Sequence, residues 1–196
     1  MHIDMDISKN QRERKLQLTN KYMMEKTLVL VAHPQMATSR INKRLEEELE
    51  KNNDLITVHD LYSLYPMGRL NVKQEQEFVD RHQNIVFQFP IYWYSCPPLL
   101  KLWFDDVLTP DWAYMNKFAL TGKTITCAVT AGGSQQDYVH SGNTANMEEV
   151  LTPFRMSANY LKAVYKPSFV IYNTFDINNE ELNTKAKEYI DFIRKL

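Results

Sequence analysis

Apolar residues follow two alternating rhythms along the chain. Short β-rich apolar runs are separated by stretches in which apolar positions recur every three or four residues. Thr27–Ala32 is an unbroken apolar run, the form expected of a strand buried on both faces. Ile41, Leu45 and Leu49 follow at helical spacing in a segment rich in Lys, Arg and Glu. Ile56–Val58 reads as a second strand ending at His59-Asp60, Glu75–His82 as a helix, and Ile85–Phe87 as a third strand closing at Phe89-Pro90. Leu99, Leu100, Trp103, Phe104, Val107 and Leu108 mark the next helix, opened by Pro97-Pro98. Thr124–Thr130 is the fourth strand. Met147, Val150, Leu151 and Phe154 predict a helix that Pro153 must kink or restart. Ser168–Tyr172 is the fifth strand, and Leu182, Ala186, Tyr189, Ile190 and Ile193 form one stripe of a final helix.

Five strands alternating with helices predict one α/β domain, a parallel sheet with helices on both faces. The domain is expected over residues 24–196. Residues 1–23 mix basic and acidic side chains without an apolar signal region, and read as an extension that packs little. In open sheets of this kind ligands bind beyond the carboxyl ends of the strands, where the strand order reverses. The loops after the first, third and fourth strands are therefore where the chemistry is expected.

Composition narrows the function. Lys plus Arg come to 23 and Asp plus Glu to 24 among 196 residues, so there is no basic excess to bind a nucleic-acid backbone. The longest apolar run, Leu28–Ala32, is far short of the ~20 residues that span a bilayer. Cys96 and Cys127 are too few for a disulfide framework or a thiolate zinc site, so the expectation is a reduced, cytoplasmic protein without a bound metal.

The first loop, His33 to Asn42, carries two hydroxyls, an arginine and an asparagine, and no acid or glycine. It is neither a Walker loop nor a Gly-x-Gly-x-x-Gly fingerprint. It can seat an anion on the start of the following helix, or Thr38 or Ser39 can simply cap that helix. The second loop, Pro90 to Pro98, concentrates aromatics, and all three tryptophans lie close by. Such a run suits a flat heteroaromatic ligand, an aromatic core or a subunit interface. The third loop, Thr130 to Tyr138, holds Gly132 and Gly133 in a chain with only five glycines. Adjacent glycines allow positive φ and close approach of backbone to a ligand.

Ala32-His33-Pro34 with Ser39 and Asn42-Lys43-Arg44, the run Gln88 to Ser95, Pro97 to Trp103, and Trp112-Ala113-Tyr114 resemble the flavodoxin-like NAD(P)H:quinone oxidoreductases. The likeness is to small bacterial members, including ancillary flavoprotein subunits of glutathione-gated potassium efflux systems. It implies a flavodoxin-like fold and an FMN site, FAD being disfavoured because the carboxyl-terminal region of the larger FAD-using members is missing. It places His33, Ser39, Arg40, Ile41 and Asn42 at the ribityl phosphate end. Pro90, Ile91, Tyr92, Trp93 and Tyr94 would pack on the isoalloxazine, with Thr130, Ala131, Gly132 and Gly133 at its pyrimidine edge. Tyr138 matches a family aromatic that can hydrogen-bond developing charge. Two positions depart from the family: Ala131 replaces a second threonine, and Asn143 aligns with a histidine. His140 is the alternative proton carrier.

The resemblance implies a homodimer that passes hydride from NAD(P)H through flavin to a quinone-like acceptor. The rival expectation is a regulatory subunit that binds a membrane potassium antiporter.

Overall fold

The computed structural model describes residues 27–141 and 144–196. The extension expected at residues 1–23, and Asn143, lie outside the described residues. Thr27–Val31 (β1) pairs in parallel with Ile56–Asp60 (β2) on one side and Asn84–Pro90 (β3) on the other. Thr124–Thr130 (β4) pairs with β3 along its whole length, Asn84 opposite Thr124 and Pro90 opposite Thr130. Two short segments, Val164–Tyr165 (β5) and Phe169–Ile171 (β6), line the outer side of β4. The order is β2-β1-β3-β4, then β5 and β6, so the order in which strands are added reverses between β1 and β3, all strands being parallel.

The strand expected at Ser168–Tyr172 is thus shorter, and a second piece precedes it. Val164 stands opposite Thr124 and Phe169 opposite Ala128. Lys166, Pro167 and Ser168 therefore face only Thr126 and Cys127, one residue too many, which makes a bulge. Pro167 has no N–H to give to a ladder. Its carbonyl instead accepts the Thr126 hydroxyl at 3.0 Å, and the Ser168 N–H donates to Glu148 Oε1 at 2.7 Å.

Alternate residues of each strand feed two cores. Val29, Val31, Ile56, Val86 and Ala128 pack under Arg40–Glu50 (α1) and the closing helix Asn179–Ile193, through Ile41, Leu45, Leu49, Leu182, Ala186 and Ile190. Leu28, Leu30, Ile85, Phe87, Phe89 and Val129 face the other way. They meet Leu61–Leu64 (α2), Val72–Arg81 (α3), Pro98–Val107 (α4), Met147–Val150 (α5) and Thr152–Tyr160 (α6). The closing helix is α7. Each fully buried side chain of this size contributes roughly 1.5–3 kcal/mol relative to exposure. Pro153 restarts the chain rather than kinking it: α5 ends at Val150 and Pro153 sits in the first turn of α6. Helix α2 has no apolar periodicity to announce it. It forms because the Asp60 carboxylate accepts the N–H groups of Tyr62 and Ser63.

One polar cluster lies inside the second core. Glu75 of α3 is fully buried, and accepts from His59 Nε2 at 2.8 Å, Tyr65 Oη at 2.5 Å and Trp103 Nε1 at 2.8 Å. Burial alone would raise the Glu75 pKa, but these bonds outweigh it and hold the carboxyl below its usual range. The cluster ties β2, α3 and α4 together, and α4 carries the loop that precedes it.

Candidate functional site

The three expected loops leave the carboxyl ends of β1, β3 and β4, which are neighbours in the sheet. They are tied together at and just below their bases. The Ala32 N–H donates to the Gln88 carbonyl at 2.8 Å, and the Ile91 N–H to the Thr130 carbonyl at 2.8 Å. Asn42 Nδ2 donates to Thr130 Oγ1 at 3.0 Å, so the first loop's helix is held against the end of β4. The reversal between β1 and β3 opens the crevice in which ligands of doubly wound sheets sit.

In the first loop Ser39 is the helix cap, its Oγ accepting the Asn42 N–H at 3.2 Å. Capping does not exhaust the helix start: the N–H groups of Arg40 and Ile41 have no partner within the helix. Ile41 itself packs in the core. His33 Nδ1 accepts the Gln35 N–H at 3.1 Å. Burial lowers the His33 pKa, with Asp60 opposing more weakly, so the ring is neutral at neutral pH and its Nε2–H is a donor. Arg40 turns away from the loop, donating to Asn179 Oδ1 of α7 at 2.8 Å from Nη2. Asn42 and Gln88 are buried, and Asn42 Oδ1 and Gln88 Oε1 have no donor among the described residues. Gln88 was missed as a site residue, although a glutamine inside the run Ile85 to Phe89 was its signal in the sequence.

The second loop is the most strained part of the crevice. Tyr92 and Ser95 exchange two backbone hydrogen bonds of 2.9 Å, closing a two-residue turn over Trp93 and Tyr94. Both turn residues have positive φ, 49° and 59°. Such a turn favours Asn and Gly, and bulky residues there cost of order 1–3 kcal/mol each. The Trp93 and Tyr94 N–H groups have no acceptor among the described residues. Trp93 is 95% exposed, whereas Trp103 and Trp112 are buried, so the aromatic run divides between site and core. Ile91 and Tyr94 also border a cavity of about 350 Å³ between α4 and the α5–α6 pair, lined further by Phe104, Leu108 and Phe154. This is within the size range of small-molecule sites.

In the third loop Thr130 and Ala131 are buried, and the Ala131 N–H bonds to the Ile171 carbonyl at 2.9 Å. Gly132 and Gly133 do not use positive φ, which is confined to Gly68 and Gly122 among the described glycines. They serve close approach instead. A Cβ on Gly132 would lie 2.5 Å from the Phe175 ring, and one on Gly133 would lie 3.1 Å from Asp137 and 3.3 Å from Tyr138. Their N–H groups have no acceptor among the described residues. A capping box between Ser134 and Asp137 fixes the 3-10 turn Gln135–Tyr138. Tyr138 then packs between Tyr94 and Tyr172, at ring distances of 6.4 and 5.5 Å. Burial raises its pKa, helped by Tyr94 and Asp137, so the phenol keeps its proton. His140 is not drawn in: its side chain is 78% exposed and Nδ1 lies 2.7 Å from Glu149 Oε1. No cluster of three or more metal-ligating side chains occurs among the described residues, and none of their helices is long and apolar enough to cross a membrane.

The order of strands and the three linked loops define a flavodoxin-like α/β protein. Residues 25–193 match the flavodoxin-like fold family, and the chain belongs to it. It is similar to an uncharacterized NAD(P)H oxidoreductase, YrkL, of Bacillus subtilis (strain 168), with 41% identity over 86% of this chain and 98% of the relative. It is also similar to the glutathione-regulated potassium-efflux system ancillary protein KefF of Enterobacter sp. (strain 638), 37% identical over 83% of this chain and 92% of that one. Among solved structures, general stress protein 14 of Treponema denticola in complex with FMN superposes with a TM-score of 0.83. The two are 39% identical over 87% of this chain and 98% of that one. An NADPH-quinone reductase from P. pentosaceus gives a TM-score of 0.78 at 28% identity, over 86% and 97%.

Proposed function

We propose that the chain is an FMN-dependent NAD(P)H oxidoreductase that reduces quinones or similar flat acceptors. The observation that carries this reading is the strained turn at Trp93-Tyr94, whose two backbone N–H groups, like those of Gly132 and Gly133, have no acceptor among the described residues. Strain of this kind persists where a site requires it. The FMN complex of the Treponema denticola relative supports the cofactor, and the names of the other relatives support the reaction class.

The residues present fit FMN. The start of α1, with Ser39, Thr38 and the Arg40 and Ile41 N–H groups, suits a phosphate, and His33 Nε2–H adds a neutral donor. Asn42 Oδ1 and Gln88 Oε1 are buried acceptors without donors among the described residues, matched to the hydroxyl groups of a ribityl chain. Pro90, Ile91, Tyr92, Trp93 and Tyr94 form an aromatic and apolar wall. Ala131 leaves that edge with a methyl group in place of a hydroxyl. Arg40 is a support rather than a ligand in this reading, since Asn179 holds it.

Bound FMN supplies two-electron hydride exchange between nucleotide and acceptor. The chain positions, shields and donates. The four unpaired N–H groups are fixed donors for the carbonyl-bearing edge of a planar ligand, where negative charge is best stabilised without reorganisation. Tyr138 holds a proton at Oη across neutral pH and is the donor for charge on a bound acceptor. His140, exposed and paired with Glu149, supports the segment after the third loop rather than a proton path.

The site is completed by a second copy in this reading. Trp93 and the exposed Met115, Met156 and Tyr160 are apolar surface that an isolated chain would leave in water. Sedimentation should show a dimer. The relation to the KefF ancillary protein supports a second, compatible role as a subunit that regulates a membrane potassium antiporter.

The test is the visible spectrum of protein loaded with FMN and desalted, then treated anaerobically with NADH or NADPH. Retained yellow colour that bleaches with one nucleotide is the expected result and identifies the donor. Retained colour without bleaching favours the regulatory role, and loss of all flavin overturns the site.

A further inference from the structure

We propose that Phe175 is the acceptor-facing wall of the site, a presented aromatic ring that stacks on flat electrophiles and sets the preference for them. This deepens the reductase reading above and rests on it.

Phe175 lies in the segment between β6 and α7, which the sequence did not mark as part of the site. It is 86% exposed, belongs to neither core and has no ring partner among the described residues. Its backbone is nevertheless held firmly. The Asn173 N–H donates to the Gly133 carbonyl at 2.9 Å and the Thr174 N–H to the Ala131 carbonyl at 3.2 Å. Asn173 has φ of 52°, a left-handed conformation that asparagine tolerates, and it turns the chain sharply. The Asp176 and Ile177 N–H groups both bond back to the Asn173 carbonyl at 3.0 Å, and Ile177 is buried in the core under α7. A rigid strap therefore carries a large apolar ring into solvent directly over the third loop.

The two glycines of that loop have different neighbours. Gly133 faces Asp137 and Tyr138, and Gly132 faces the Phe175 ring. A planar ligand laid on this glycine pair meets a hydroxyl-bearing ring at one end and a purely apolar ring at the other. Tyr138 can donate a proton, whereas Phe175 has only surface to offer. Surface that stacks is selective: it favours fused aromatic acceptors over compact inorganic ones.

The holoprotein tests this with two acceptors, the bicyclic quinone menadione and ferricyanide, which has no ring to stack. In Phe175→Ala the ratio of kcat/KM for menadione to that for ferricyanide should fall about tenfold, mainly through the KM for menadione, the scale of a lost ring contact and its burial. Phe175→Trp should bring the ratio back to within about threefold of the native value. A ratio within about twofold of native in Phe175→Ala overturns the proposal. So does loss of FMN from that variant, which would make Phe175 part of the flavin seat, or conversion of a dimer to monomers, which would make it an interface residue. If the native protein holds no FMN, or neither nucleotide reduces it, the reductase reading itself fails and takes this one with it; that outcome is visible before any variant is made.

Discussion

Two regions of this molecule take polar groups out of water, and they do so to opposite effect. Around Glu75 both carboxylate oxygens are used: His59, Tyr65 and Trp103 all donate to one carboxylate, and the carboxyl is held in its charged form. At the carboxyl edge of the sheet the accounting is left open. Among the described residues Asn42 Oδ1 and Gln88 Oε1 lack donors, and Trp93, Tyr94, Gly132 and Gly133 lack acceptors, while two bulky residues sit in left-handed conformations. A closed network specifies structure, and in the proposed reading the open one beside strained backbone is where the ligand is held. The same chemical groups serve either end, depending on whether the chain completes them.

This contrast can be broken experimentally. The largest effect is expected at the closed network. Glu75→Ala leaves the buried His59 and Trp103 donors and the half-buried Tyr65 hydroxyl without their acceptor, and should lower the unfolding free energy by about 3–5 kcal/mol in a urea titration. The native protein should show the matching pH dependence. Because the folded Glu75 pKa lies below its ordinary value of 4.5, its contribution is complete above that value and is lost as pH falls through the folded pKa. In Glu75→Gln that part of the acid slope should disappear.

At the open network the expected loss is in binding rather than stability. Gly132→Val puts a branched side chain against the exposed Phe175 ring, which can swing aside, so the fold should survive. FMN affinity should drop by at least about a hundredfold, read by fluorescence titration, because the backbone can no longer be approached closely. A melting temperature that collapses with the affinity would erase the distinction between the two regions. Tyr138→Phe is a milder probe of the same edge. It keeps the packing on Tyr94 and Tyr172 and removes only the hydroxyl, so kcat should fall roughly ten- to a hundredfold with flavin retained.

The smallest expected effect concerns Glu46 on α1. Burial, then Asp60, Glu50 and Glu47, push its pKa up to about 7. A carboxyl raised on folding stabilises the folded state at low pH, and that stabilisation is lost as pH rises from its ordinary value through 7. Glu46→Gln should therefore be more stable than the native protein at pH 8 by about 1 kcal/mol, since water screens much of the repulsion, with little difference below about pH 4.5. Thermal melts at the two pH values check the sign.

The pattern of apolar positions was enough to place the buried strands and the striped helices α1, α4 and α7, because burial on both faces of a parallel sheet imposes long apolar runs and striped helices. Thr124–Thr130 matches residue for residue. What escaped that reading has local causes. Helix α2 depends on the Asp60 carboxylate finding two N–H groups, and β5 depends on a bulge around Pro167; neither leaves a periodic trace. At the site, paired glycines after a strand were legible, but not the reason for them, since close approach and positive φ favour the same residue. Phe175 was invisible because its proposed role comes from a fold-back that brings residues 173–175 onto the third loop, about forty positions earlier in sequence. Arg40 was legible as a cation but not as one already held by Asn179, 139 residues away.

The bulge at Lys166–Pro167–Ser168 carries a consequence for the molecule in a crowded solution. A sheet edge with regularly spaced free N–H and C=O groups invites strands from other chains to add to it. Here the outer edge is cut into runs of two and three residues. At the break, proline presents no N–H and the Ser168 N–H is already taken by Glu148. No incoming strand can keep register across that interruption, so this edge of the sheet is disarmed by the same irregularity that makes its strand hard to recognise.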